Sequence, residues 1–221
     1  THVQTLEYNT AQIMQSVAFA TYTFADGDAT VLLALAGVDT KVHVLACGLP
    51  ARAAAPYTPA FYMLGALDGH IDWVRSLSFC TLDSEDATDG NPVSTLLLAS
   101  ASQDKSVRLW RFCAPSKDTL AFLDRHAHAG DSDSGMDEAV QMIASSSLGE
   151  RGHLFSCGDE TAKLVSVTLE SVLVGHEEWV LCAQWHPRVR DATGRSTQPQ
   201  VLLTASADKT MMLWGPDAVY G

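Results

Sequence analysis

Short apolar runs, each a few residues long, recur along the chain and are separated by clusters of Gly, Pro, Asp, Asn and Ser. The runs at 31–36, 96–101, 107–112, 201–206 and 211–214 are rich in Val, Leu and Thr, and several alternate apolar with polar positions. Period two and this length predict β-strands, and the flanking residues predict turns. No run approaches the ~20 apolar residues that a membrane-spanning helix needs. The pattern therefore predicts an all-β chain built from many short strands.

Two stretches of the pattern match each other. The first opens with Gly69-His70-Ile71-Asp72-Trp73-Val74 and closes with LLLASASQDKSVRLW at Trp110. The second opens with Gly175-His176-Glu177-Glu178-Trp179-Val180 and closes with VLLTASADKTMMLW at Trp214. In both, the histidine and the closing tryptophan lie about 40 residues apart, inside one ~40–45-residue propeller blade. A weaker copy, VLLALAGVDTKVHVL at 31–45, keeps the strand–turn–strand half with Asp39 at the turn, but lacks the Gly-His and has Val44 near the expected tryptophan. The pattern thus predicts part of a WD40 β-propeller with about three recognisable blades, one of them degenerate. The expected division is 1–50 degenerate blade, 61–113 blade, 114–160 acidic and Ser-rich insertion, and 161–217 blade with its leading strand. The stretches 69–110 and 175–214 should each form a four-stranded antiparallel unit.

The polar residues of the repeat have a physical task. In such blades the turn aspartate hydrogen-bonds the Gly-His histidine, and a hydroxyl links that ring to the tryptophan indole N–H. Four buried polar groups then satisfy one another. The expected members are His70, Ser100 or Ser102, Asp104 and Trp110 in one blade. In the other they are His176, Thr204 or Ser206, Asp208 and Trp214. Each His–Asp pair resembles a catalytic dyad, but the pair occurs twice with the same neighbours, which favours a structural role. The small residues Ala99, Ala101, Ala205 and Ala207 suit inner strands pressed between blades. Trp73, Trp179 and Trp185 are expected in strand cores.

Polar stretches at 82–92 and 186–195 fall at the same point of the two matching units and predict loops between first and second strands, protruding on one face. The segment from 114 to about 152 reads as a long surface insertion, followed by a strand over 162–173 that leads into the next Gly-His. The run 153–167 also mimics half a blade.

Charge and cysteine content narrow the function. The formal net charge is −12, which repels phosphate backbones, so any nucleic-acid contact is local. The basic residues that could make a partner contact are Lys105 and Arg108 on one strand and Arg188, Arg190 and Arg195 in one loop. The five cysteines include no C-x-x-C pair and read as reduced thiols of a cytosolic or nuclear protein. His126, His128 and His153 near Asp131 and Asp133 match no ligand spacing and read as a solvated loop. No phosphate loop, nucleophile elbow or Cys/His pair occurs. No catalytic residue, metal or cofactor is expected.

The order of these features resembles one family, the WD40-repeat second subunits of the Elongator complex. The resemblance is carried by VTLESVLVGHEEWVLCAQWHP (167–187), VLLTASADKTMMLWGPD (201–217), LDGHIDWVRSLSF (67–79), LLLASASQDKSVRLWRF (96–112) and LALAGVDTKVHV (33–44). It is loose over 46–62 and 114–152. It implies two seven-bladed propellers in the whole subunit, with this chain in the middle of the first. It also implies a non-catalytic scaffold that holds the largest subunit and the catalytic radical-SAM/acetyltransferase subunit together for tRNA wobble-uridine modification. Transcription elongation has been attached to the family as well. The implied location is cytoplasmic, also nuclear, without a membrane. The other reading is a general WD40 protein-interaction module, such as a ubiquitin-ligase adaptor or assembly factor.

Overall fold

The computed structural model describes residues 12–49, 60–82, 93–117, 119–121, 152–157, 163–190, 192, 194 and 196–216. The first sheet joins β1 (Met14–Thr23), β2 (Ala29–Gly37), β3 (Val42–Leu49) and β4 (Tyr62–Leu67) in that order. The second contains β5 (Val74–Leu82), β6 (Thr95–Ser102), β7 (Ser106–Cys113), β8 (Gly152–Ser156) and β9 (Leu164–Val174), ordered β5-β6-β7-β9-β8. A two-stranded hairpin of β11 (Val189–Arg190) and β12 (Ser196–Thr197) projects from the third sheet, which joins β10 (Val180–Trp185), β13 (Leu202–Ser206) and β14 (Met211–Trp214). All pairings are antiparallel.

The sheets stack face against face because side chains alternate across each strand. Leu96, Leu98, Trp110 and Phe112 face the first sheet and join a core with Tyr22, Leu32 and Val44. Leu97, Ala99, Ala101 and Val107 point the other way and pack on Val180, Trp185 and Leu202 of the third sheet. Strand β6 is therefore buried on both faces, which explains its unbroken run of apolar and small residues. The small Ala99 and Ala101 let the neighbouring sheet approach closely.

The innermost strands are equivalent in detail. Each carries a register shift at its start, between Met14 and Ser16, Val74 and Ser76, and Val180 and Cys182. The same bond links successive sheets: the Leu77 amide donates to Ser16 Oγ at 3.0 Å, and the Ala183 amide to Ser76 Oγ at 3.1 Å. The Trp185 amide and indole N–H donate to Ser78 Oγ and the Ser78 carbonyl at 3.2 and 3.0 Å. The arrangement is three consecutive blades of an open, partial propeller.

The sheets are offset from the units read in the sequence. The stretches 69–110 and 175–214 each supply three strands, not four, to one sheet. The fourth strand of the first sheet is β4, from the start of unit 61–113. The fourth strand of the second sheet is β9, from the start of unit 161–217, reached after 114–151. The reason is geometric: the strand that precedes each Gly-His pairs as the fourth strand of the sheet before it, and the loop then returns to the inner edge of the next. Of the expected insertion, 152–156 forms β8 beyond β9, and 122–151 lies outside the described residues. The expected loop at 186–195 is in part the β11–β12 hairpin, and 83–92 of the other expected loop lies outside the described residues.

Strand β8 also bridges the first two sheets. Gly65 of β4 leaves room for the Phe155 ring, since a Cβ there would come within 2.6 Å of it. Gly65→Ala should overpack this contact, at a cost of about 1–3 kcal/mol. The expected result is faster amide exchange over 152–156 with little change in β6.

Candidate functional site

Turn geometry comes first. The β2–β3, β6–β7 and β13–β14 connections place Thr40, Lys105 and Lys209 at φ of 65°, 70° and 69°. Each follows an aspartate. Asp39, Asp104 and Asp208 accept the amide two residues on, from Lys41, Ser106 and Thr210, at 3.4, 3.0 and 2.8 Å. Such a bond mimics a backbone turn and helps hold the left-handed residue between.

The free carboxylate oxygen then takes a histidine. Asp104 Oδ2 lies 2.7 Å from His70 Nδ1, and the His70 Nε2 lies 2.8 Å from Ser100 Oγ. The Trp110 indole N–H donates to the same hydroxyl at 3.0 Å. A neutral ring satisfies every group when the indole N–H donates to the hydroxyl oxygen, the hydroxyl to Nε2, and Nδ1–H to the carboxylate. The third sheet repeats the pattern. His176 Nδ1 sits 3.0 Å from Asp208 Oδ2, Nε2 sits 2.8 Å from Thr204 Oγ1, and the Trp214 indole donates to Thr204 Oγ1 at 2.8 Å. The same carboxylates accept the Ile71 and Glu177 amides, tying the Gly-His loops down.

Between the two hydroxyls expected in each blade, Ser100 and Thr204 are the network members. Ser102 and Ser206 act one layer out, donating to the Asp72 and Glu178 carbonyls and accepting the Asp104 and Asp208 amides.

The degenerate blade holds a pair that sequence reasoning missed. His43, on the strand after the turn, bonds Asp39 through Nε2. The aspartate keeps its histidine, but from the opposite side of the hairpin. The signal was present as Asp39 and His43 flanking a tight turn, a spacing that brings the side chains together on a hairpin.

Burial opposes the charge on Asp104, yet the bonds from His70 and Ser106 outweigh it and hold the carboxyl well below the usual range. Asp208 is held low in the same way by Thr210, the Glu177 amide and His176. A carboxylate with a depressed folded pKa adds stability above its unfolded value of ~3.9 and loses it as pH falls through the folded value. Asp104→Asn should therefore lower stability at neutral pH by about 1–3 kcal/mol and flatten the acid limb of a melting-temperature profile below pH ~4. An unchanged acid limb would refute this assignment.

The described basic residues are not gathered into one patch. Lys105 Nζ donates to the Glu177 carbonyl at 2.7 Å and approaches Glu178 at 3.7 Å. Arg108 turns back onto the Gly69 carbonyl at 2.7 Å. Arg188 closes the β11–β12 hairpin on Ser196, and Arg190 is exposed beside it. Arg195 lies outside the described residues, as do His126, His128, Asp131 and Asp133. His153 lies on β8, stacked on Phe155. Among the described residues, no three His, Cys, Asp or Glu side chains gather as a metal site. None of their helices is long and apolar enough to cross a membrane.

Trp185 is in the core, as expected. Trp73 and Trp179 are not: they precede β5 and β10 and stand 42% and 47% exposed.

The repeated sheets and their His–Asp–hydroxyl–Trp networks define a WD40-repeat propeller protein, and the family model described as "WD domain, G-beta repeat" matches residues 61–111 and 167–215. Comparison with curated proteins narrows this class. The chain is 36% identical over 222 residues to Elongator complex protein 2 of Dictyostelium discoideum, covering 99% of this chain and 23% of that protein. It is 34% identical over 192 residues to the Arabidopsis thaliana protein of that name, covering 86% and 19%. It is 32% identical over 205 residues to the Homo sapiens protein, covering 91% and 21%. The chain belongs to the Elongator complex protein 2 family and spans less than a quarter of the length of these relatives.

Proposed function

We propose that the chain is part of a non-catalytic scaffold subunit of the Elongator complex. In this reading the subunit joins the largest subunit to the catalytic radical-SAM/acetyltransferase subunit and supports wobble-uridine modification of tRNA. It acts in the cytoplasm and also in the nucleus, where it contributes to transcription elongation. One observation carries the non-catalytic assignment. Both nitrogens of His70 and of His176 are engaged in bonds within their own blades, and both side chains are 1% exposed. A general acid or base must present a nitrogen to substrate, and these rings serve the fold instead. Family membership supports the choice of complex.

The test uses the intact subunit. Affinity purification should bring down a very large helical and propeller-containing partner and a cysteine-rich iron–sulfur partner. Cells depleted of the subunit should lose modified wobble uridines in mass spectra of tRNA nucleosides. Failure of both partners to co-purify, or turnover of an acyl donor by the subunit alone, would overturn the proposal.

A further inference from the structure

Two large aromatic side chains are partly open to solvent at the start of the inner strands. Trp73 and Trp179 occupy equivalent places, each just before an inner strand. The bonds of Ser76 to Ala183 and of Ser78 to Trp185 hold β5 and β10 side by side. The tryptophans sit a few residues before those bonds on each strand, so they share one end of the stack. Ile71, two residues before Trp73, is 86% exposed. By the same register, Ile13 takes the corresponding place before β1, also exposed. A repeated exposed apolar position of this kind marks an interaction surface.

The backbone beneath the tryptophans is fixed. The Trp73 carbonyl accepts the Gln103 amide and the Trp179 carbonyl accepts the Ala207 amide, both at 2.9 Å. Side chains held on such loops dock a partner without a large ordering cost.

Charge around them selects the partner. Lys105 is occupied by the Glu177 carbonyl and the Glu178 carboxylate, and Lys41 by Asp68. Asp72 directly precedes Trp73 and accepts its amide at 2.7 Å, Glu177 lies two residues before Trp179, and neither carboxylate is ion-paired among the described residues. Exposed indole faces next to uncompensated carboxylates attract a guanidinium or ammonium group, which gains from both the ring and the charge. The same carboxylates repel phosphates.

We propose that this end of the inner strands docks an extended, cationic segment of a partner protein, with Arg or Lys side chains laid over Trp73 and Trp179 and paired with Asp72 and Glu177. This rests on the reading of the chain as a scaffold and adds the chemistry of one contact.

The test titrates the intact subunit with a fluorescein-labelled peptide of alternating arginine and leucine. A glutamate-for-arginine peptide and an oligouridylate serve as rival probes. The arginine peptide should bind, and Trp73→Ala with Trp179→Ala should weaken it by about tenfold or more. Asp72→Asn with Glu177→Gln should weaken it by about three- to tenfold and reduce its salt dependence. The second pair is conservative, so it decides the matter even if the tryptophan variant fails to fold. Equal affinity in wild type and the carboxylate variant, or preferential binding of either rival probe, would overturn the proposal. Co-purification of Elongator subunits with the unaltered protein is scored separately: its failure sinks the scaffold reading, whereas failure of the titration sinks only this contact.

Discussion

Trp110→Ala is expected to cost the second sheet about 3–5 kcal/mol, the range for emptying a buried aromatic site. Trp110 is among the largest fully buried side chains and faces the first sheet with Phe112 and Leu98. The substitution opens a cavity between two sheets and also removes the N–H that Ser100 Oγ accepts. Trp110→Phe separates the contributions: it keeps most of the packing and should lose only about 1 kcal/mol through the missing donor. Trp214→Ala is the internal comparison. That ring makes the matching bond to Thr204 but is only half-buried, so its loss should cost less. Denaturant unfolding of the intact subunit, with amide exchange read over β6 and β7, measures all three. Native protection of those strands in Trp110→Ala would contradict the account.

The second large effect concerns the two end faces of the stack. Val17 and Phe19 project from the outer face of β1, and Phe19 is 74% exposed. At the other end Leu203, Met211 and Leu213 project from the third sheet, the last two 73% exposed. Each sheet of a repeat array gains stability from the neighbours it touches, and these faces touch none among the described residues. The 221-residue chain, made by itself, should therefore self-associate or aggregate, since contiguous apolar faces and unpaired strand edges drive association. Sedimentation over a range of concentrations reads this directly. Phe19→Lys with Leu213→Lys should move the population toward monomer. A monomeric, sharply cooperative melt of the unaltered 221-residue chain would refute the expectation.

Much of the fold was legible in residue pattern. The Gly-His start and the Asp-turn-Trp finish located two blades, because buried polar groups demand partners of fixed type at fixed spacing. Strand β6 announced its double burial through a continuous apolar run; β13 carries a similar run, but only one of its faces is covered, so its burial alternates. What escaped depends on contacts distant in the chain. The pairing of β9 with β7 crosses the whole 114–151 segment, and periodicity carries no information about which edge a strand will join. Strand β8 was ambiguous for the same reason. His43 was overlooked because the Gly-His template places the histidine before the first strand. Trp73 and Trp179 were assigned to the core on residue type, while their position one residue before a strand leaves them in solvent.

The offset between repeat and sheet has one more consequence, for change in repeat number. One unit hands its first strand to the sheet behind it and its remaining strands to the sheet ahead. Excising or duplicating a whole unit in frame therefore removes or adds a sheet's complement of strands wherever the breakpoints fall. Every ladder between retained units still finds the strand that the next unit supplies, so an array of this kind can gain or lose internal copies genetically without leaving an inner sheet one strand short.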